Sequence, residues 1–193
     1  MKLVIIDYGA GNIKSLQFAF RRLGVEAVLS NSIEEIQNAD KVIFPGVGEA
    51  SSAMRKLKQS GLDFIVPRLK QPVLGICLGM QLMCESTEEG QTKGLNIFNT
   101  PVKRFSTTNK VPQMGWNTIQ DLKSPLFKDI DDKDYMYLVH SYYAENCDLS
   151  IATTDYGVAY ASALQNDNFY GVQFHPEKSG ASGQKILQNF LEL

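Results

Sequence analysis

The chain has 193 residues, 44% hydrophobic and 21% charged, an ordinary globular balance that excludes a disordered polypeptide. A net charge of −2, from 19 basic and 21 acidic residues with no long Lys/Arg block, gives no reason to expect nucleic acid or an anionic membrane as partner. The length suits one well-cored domain over residues 1–193, and the odd set Cys77, Cys84 and Cys147 fits neither a disulfide framework nor a metal site.

In chain order, Leu3–Ile6 reads as a strand, followed by a helical stripe of Ile13, Leu16, Phe20 and Leu23. Its apolar core is too short for a signal peptide, and no stretch of the chain is long enough to span a bilayer, so a reducing cytoplasm is the expected location. Val25–Leu29 reads as a second strand, and Ser32 as the cap of a short helix ending near Asn38. Val42–Phe44 is a third strand, broken by Pro45-Gly46; Ala50, Ala53, Met54 and Leu57 then form another helical stripe. Val73–Ile76 is a fourth strand. This alternation predicts a parallel sheet covered by helices on both faces. From about Val102 to Phe174 the chain turns β-branched and aromatic, with candidate strands Tyr135–Val139, Val158–Leu164 and Phe169–Phe174. A last helix carries Ile186, Leu187, Phe190 and Leu191. The expected product is one α/β domain whose central, mostly parallel sheet gains antiparallel strands from the second half.

Ligands of open α/β sheets bind beyond the carboxyl ends of the parallel strands. The loops after Ile6, Phe44, Ile76 and Phe174 are therefore the places to look. Gly75-Ile76-Cys77-Leu78-Gly79 has the G-x-nucleophile-x-G pattern of a strand-to-helix elbow. Such a corner favours the thiolate and aims the next amide, that of Leu78, at an oxyanion. A buried core cysteine is the bland alternative, and for Cys84 and Cys147 it is the better reading. A cysteine nucleophile needs a base, and the chain has only His140 and His175. His175 ends a strand-like run, and Glu177 lies close enough to fix its tautomer, so His175 is the better base. His140 reads as a structural or substrate-side residue. Pro45-Gly46-Val47-Gly48 is either a plain turn or a loop whose amides approach a ligand. Gly9-Ala10-Gly11 lacks the third glycine of a dinucleotide fingerprint, because Lys14 stands in its place. No cofactor and no metal are expected.

Taken together, "GICLGMQ", "HPEKSG" and "FPGVG" resemble the class I (triad) glutamine amidotransferases. "IDYGAGNIKSL", "VPQMGWN" and "YLVHSYY" further resemble, within that family, the glutaminase subunits of imidazole glycerol phosphate synthases. The resemblance covers essentially the whole chain in the right order. It implies a flavodoxin-like three-layer fold and hydrolysis of L-glutamine to glutamate and ammonia, with Cys77 as nucleophile, His175 as base and Glu177 as its orienter. It implies an oxyanion site at Leu78 and the Val47–Gly48 peptide, which would have to turn over before donating. It places the glutamine against Gly46, Gly48, Gln81 and the backbone of Ser141-Tyr142. It also implies a heterodimer with a (β/α)8-barrel synthase subunit that receives the ammonia and forms imidazole glycerol phosphate and AICAR. Asn12, Lys14, Pro112, Met114, Trp116, Tyr137 and Lys178 are the matching interface positions; Trp116 as a core residue is the competing reading. Three alternatives stay open: a paralogue feeding an amidine-forming sugar pathway, a catalytically silent docking subunit and a cysteine hydrolase of peptides.

Overall fold

The computed structural model describes residues 1–9, 13–106 and 108–193. Its first half alternates β1 (Leu3–Ile6), α1 (Ile13–Arg22), β2 (Ala27–Ser30), α2 (Ile33–Gln37), β3 (Lys41–Phe44), α3 (Ala50–Ser60), α4 (Leu62–Ile65), β4 (Val73–Ile76) and α5 (Leu78–Met83). Strands then dominate. They are β5 (Cys84–Thr87), β6 (Thr92–Lys93), β7 (Phe98–Arg104), β8 (Gln113–Thr118), β9 (Tyr135–His140), β10 (Tyr142–Ala144), β11 (Ser150–Asp155), β12 (Ala159–Asn166) and β13 (Phe169–Val172). Helix α6 (Gly180–Glu192) ends the described chain.

The main sheet has the order β2-β1-β3-β4-β13-β12-β10-β7-β5-β6, with β11 beside β12. Neighbours from β2 through β13 are parallel, and β12 and β10 add the expected antiparallel strands. Every residue of β1, β3 and β4 is buried, because helices cover both faces. Side chains alternate between the two faces. Val4, Ile6, Val42 and Phe44 pack with α2, α3 and α5 through Ile36, Met54, Leu57, Met80 and Leu82. Leu3, Ile5, Ile43 and Leu74 pack with α1 and α6 through Leu16, Phe20, Ile186, Leu187 and Phe190. No helix among the described residues is long and apolar enough to cross a membrane.

Strand β2 begins at Ala27, later than the Val25 start expected. Gly24 adopts φ +77° just past α1, and the Val25 amide returns to the Phe20 carbonyl at 3.0 Å, so Val25 closes the helix instead of opening the strand. Ser32 does cap α2, its hydroxyl accepting from the Glu35 amide. Strands β8 and β9 form a separate antiparallel ribbon outside the main sheet, with Trp116 opposite Tyr137 and Gln113 opposite His140.

Candidate active site

Strands β3, β4 and β13 lie side by side, so the loops after them meet. In the parallel register Ile76 stands against Val172, and the Cys77 amide donates to the Val172 carbonyl at 2.8 Å. Cys77 itself takes φ 55° and ψ −113°, a left-handed conformation costly for a residue with a Cβ and found here at the corner between β4 and α5. The flanking glycines explain how the corner closes. A Cβ on Gly79 would lie 2.0 Å from the Phe44 carbonyl oxygen, and one on Gly75 2.9 Å from the Met80 amide nitrogen.

A cavity of about 340 Å³ opens over this corner. Cys77, Leu78, Gln81, Val47, Gly48, Ser141, Tyr142 and His175, all singled out in the sequence, line it. Gly46 does not. It is buried behind the wall, where a Cβ would lie 2.5 Å from the Gly79 amide nitrogen and 2.8 Å from Leu78 Cβ. Its missing side chain therefore lets the loop press against the elbow, and does not make room for a ligand. Gly48 at φ +99° faces open space.

The His175 ring is enclosed, and its Nδ1 lies 2.9 Å from Glu177 Oε1. Burial alone would push this imidazole down. Hydrogen bonds to the Cys77 sulfur and to Glu177, reinforced by their charges, outweigh burial and carry it up to about 10. With Nδ1 held by the carboxylate, Nε2 is the nitrogen left for the sulfur. The arrangement favours the imidazolium form of His175.

Gln81 points its Nε2 at the Tyr142 carbonyl (2.9 Å) and at Gln173 Oε1 (2.7 Å). The Tyr142 carbonyl also lies 2.7 Å from His140 Nδ1, which fills both its lone pairs. His140 Nε2 is 3.2 Å from the Tyr160 hydroxyl, whose other neighbour is Gln113 Oε1 at 2.9 Å. His140 is thus a wall residue, as its sequence context indicated. Burial pushes it down to about 4, opposed by the Tyr142 carbonyl and aided by the nearby His175 charge. A base neutral in the fold binds fewer protons than its unfolded form, so stability falls as pH falls from about 6.5 toward 4. The expected loss from this group is about 3 kcal/mol across that interval. In urea titrations at several pH values, His140→Asn should lose correspondingly less on acidification than the parent chain; parallel losses would show that His140 is not the responsible group.

Sequence reasoning missed Glu89 and Gln173. Glu89 lines the cavity, its Oε2 accepting from the Ala50 amide at 2.8 Å, and burial pushes its carboxyl up despite that bond. In the sequence it is one member of an acidic pair in a turn, with no signal to set it apart. Of the interface positions, Asn12 lies outside the described residues and Lys14 is exposed at the start of α1. Met114 (65% exposed) and Trp116 (55%) stand on the outer ribbon, which contradicts a core role for Trp116. The Trp116 and Tyr137 rings meet edge-on at 6.1 Å, and Lys178 Nζ lies 5.7 Å from the Tyr137 ring centre. Pro112, exposed beside them, also lines the cavity mouth.

Residues 4–193 match the family model "Glutamine amidotransferase class-I". The chain is 55% identical, over the full length of both, to "Imidazole glycerol phosphate synthase subunit HisH" of Bacteroides fragilis. The protein of the same name from Bacteroides thetaiotaomicron is 53% identical, again over both full lengths. The PurLQS structure from Thermotoga maritima superposes with a TM-score of 0.77 at 15% identity, covering 99% of this chain and 97% of that one, a likeness of fold alone. The chain belongs to the class-I glutamine amidotransferase family.

Proposed function

We propose that this chain is the glutaminase subunit of an imidazole glycerol phosphate synthase, acting in the cytoplasm in histidine biosynthesis. The observation that carries the reading is the strained Cys77 corner, with the His175–Glu177 pair beside it, at the floor of a cavity sized for a free amino acid. Full-length identity of 55% to a HisH subunit supports the choice of pathway.

The Cys77 thiolate attacks the side-chain amide carbon of glutamine. The amides of Leu78 and of the Val47–Gly48 peptide receive the oxyanion. The C–N bond then breaks as His175 Nε2 hands its proton to the departing ammonia, leaving a glutamyl thioester. Water, giving a proton to His175, attacks that carbonyl; the C–S bond breaks and glutamate leaves. Glu177 keeps the imidazole in one tautomer throughout. The Glu89 carboxylate suits the substrate ammonium. Both lone pairs of the Tyr142 carbonyl are engaged, so the N–H groups and hydroxyl of Ser141-Tyr142 are left for the substrate carboxylate.

Ammonia in bulk water near neutral pH is mostly ammonium and not nucleophilic, so a sealed face toward the consuming enzyme is chemically useful. The partner is a (β/α)8-barrel synthase subunit seated on Pro112, Met114, Trp116, Tyr137 and Lys178, with the exposed Lys14 as a further contact. The test is glutamate release from glutamine by the chain alone and with a barrel synthase subunit and its nucleotide substrate. Low activity alone and strong stimulation in the complex are expected; no glutamate release in either state overturns the reading. Because Trp116 is exposed, Trp116→Ala should change folding stability by less than about 0.5 kcal/mol. It should weaken the complex by about 2 kcal/mol or more in a calorimetric titration. Unchanged affinity would remove Trp116 from the interface.

A further inference from the structure

Gln173 is fully buried, follows β13 and takes no part in the chemistry above. The parallel register ends with Val172 against Ile76, and Gln173 and Cys77 are the residues that follow on the two strands. Gln173 Nε2 lies 3.7 Å from Cys77 Sγ, within reach of an N–H···S hydrogen bond, and its Oε1 lies 2.7 Å from Gln81 Nε2.

We propose that Gln173 is a further catalytic residue: its Nε2–H donates to the Cys77 sulfur, holds it as the thiolate nucleophile, and ties its readiness to Gln81. The inference rests on the glutaminase reading for its role in turnover, though not for its effect on the sulfur.

The direction of the bond follows from the end of the chain of contacts. The Tyr142 carbonyl can only accept, so Gln81 must present its NH2 group there. That group has a second hydrogen, which points to Gln173 and requires an acceptor. Gln173 therefore turns its Oε1 to Gln81, and its own NH2 is left facing the sulfur. Flipping either amide would oppose two donors or two acceptors in a buried place, the costly arrangement for polar groups taken out of water. A backbone carbonyl on β10 thus dictates, through two side-chain amides, that a donor and not a lone pair meets Cys77.

A consequence concerns substrate. Gln81 lines the cavity, and its Oε1 is the atom of that amide left to accept a hydrogen bond from glutamine. Donation to Oε1 makes the Gln81 N–H groups more acidic. It strengthens the bond to Gln173, and that polarises the Gln173 amide toward the sulfur, as hydrogen bonds in series do. Substrate occupancy is signalled to the nucleophile through two amides.

The experiment follows alkylation of Cys77 by iodoacetamide in the full-length chain, read at the Cys77 peptide by mass spectrometry, against pH. Gln173→Met keeps the length and removes the donor. Gln173→Glu keeps the acceptor for Gln81 and sets an oxygen lone pair against the sulfur. At about pH 7 the methionine variant should alkylate roughly tenfold more slowly, and the glutamate variant more slowly still, from the usual strength of a hydrogen bond to a charged group. Above about pH 10, where an ordinary accessible thiol is ionised with or without such a donor, all three should react within about threefold of one another. A wild-type rate at about pH 7 in both variants overturns the proposal. So does a loss of equal size at every pH, which marks a blocked or misfolded site instead of a lost donor. Glutamate release by the wild-type complex is the control for the wider reading. If that release is absent while the alkylation profiles behave as stated, the glutaminase function fails and the Gln173 bond stands; the converse result removes Gln173 alone.

Discussion

Cys77→Ala in the synthase complex is expected to lower glutamate release by at least about 10⁴-fold, with binding of the barrel subunit unchanged. The size follows from the absence of a substitute nucleophile. Cys84 is sealed in the core, where burial pushes its thiol far up, and Cys147 packs at the edge of the same core. Only water could then attack the amide, a far weaker nucleophile than the lost thiolate. Glutamate release in Cys77→Ala at even a tenth of the parent rate would falsify the thioester route. The base has its own signature. His175 holds its proton up to about 10, so the acid that protonates the departing ammonia persists to that pH and turnover falls beyond it. Glu177→Gln removes one of the two supports of the imidazolium, and the alkaline limb should move to lower pH. The same shift has a stability sign. A folded-state affinity for protons above the ordinary His value contributes stability fully below about pH 6.5, and the contribution is lost as pH rises through about 10.

Gly79→Ala should destabilise the fold by about 3–5 kcal/mol, a large part of the stability of a domain this size. The new Cβ would meet the Phe44 oxygen at 2.0 Å, the Phe44 carbonyl carbon at 3.0 Å and the Pro45 carbonyl carbon at 3.2 Å. All three are main-chain atoms, so no rotamer change relieves the clash; either α5 or the loop after β3 must move. Gly24→Ala is the contrast. It also has positive φ, at +77°, but has nothing within 4 Å, and should cost only about 1 kcal/mol. Urea midpoints of the two variants test the difference, and a Gly79→Ala loss under about 1 kcal/mol would show that the elbow is less tightly closed than the contacts imply.

How much of this was legible in the residues differs by region. Most of the parallel half was, because each strand there is a short apolar run ending at a loop and the longer helices α1 and α3 repeat an apolar stripe with the right spacing; α4, four residues long, left no such stripe. The later strands were only partly visible. Tyr135–Val139 extends one residue further to His140, and Phe169–Phe174 stops at Val172 before the chain bends so that the His175 amide can reach the Tyr137 carbonyl. Strand β12 runs from Ala159 to Asn166, later at both ends than Val158–Leu164, because its pairing with β13 continues to Asn166 against Phe169. Strands β5, β7, β8, β10 and β11 carry polar residues on both faces in places, and only their partners define them. Cys77, His175 and Glu177 could be picked out because glycines and a proline mark their corners. Gln173 could not, since a single amide within an apolar run acquires meaning only from the register of β13 against β4. Gly46 was expected against the glutamine, but it lies behind the cavity wall, where its missing Cβ lets the loop approach Gly79 and Leu78.

The separate ribbon of β8 and β9 runs from the outer face of the molecule to its cavity. At one end Thr154 Oγ1 donates to the Thr118 carbonyl and Gln120 pairs with Thr153; at the other the Tyr160 hydroxyl meets both Gln113 and His140. Its outer face carries Met114 and Trp116, and His140 at its far end lines the cavity. Midway, the Tyr137 carbonyl holds the His175 amide at 2.9 Å. The two strands are bonded to each other and not laddered into the large sheet. One two-stranded element therefore carries the exposed Trp116 on its outside and the backbone contact to His175 within.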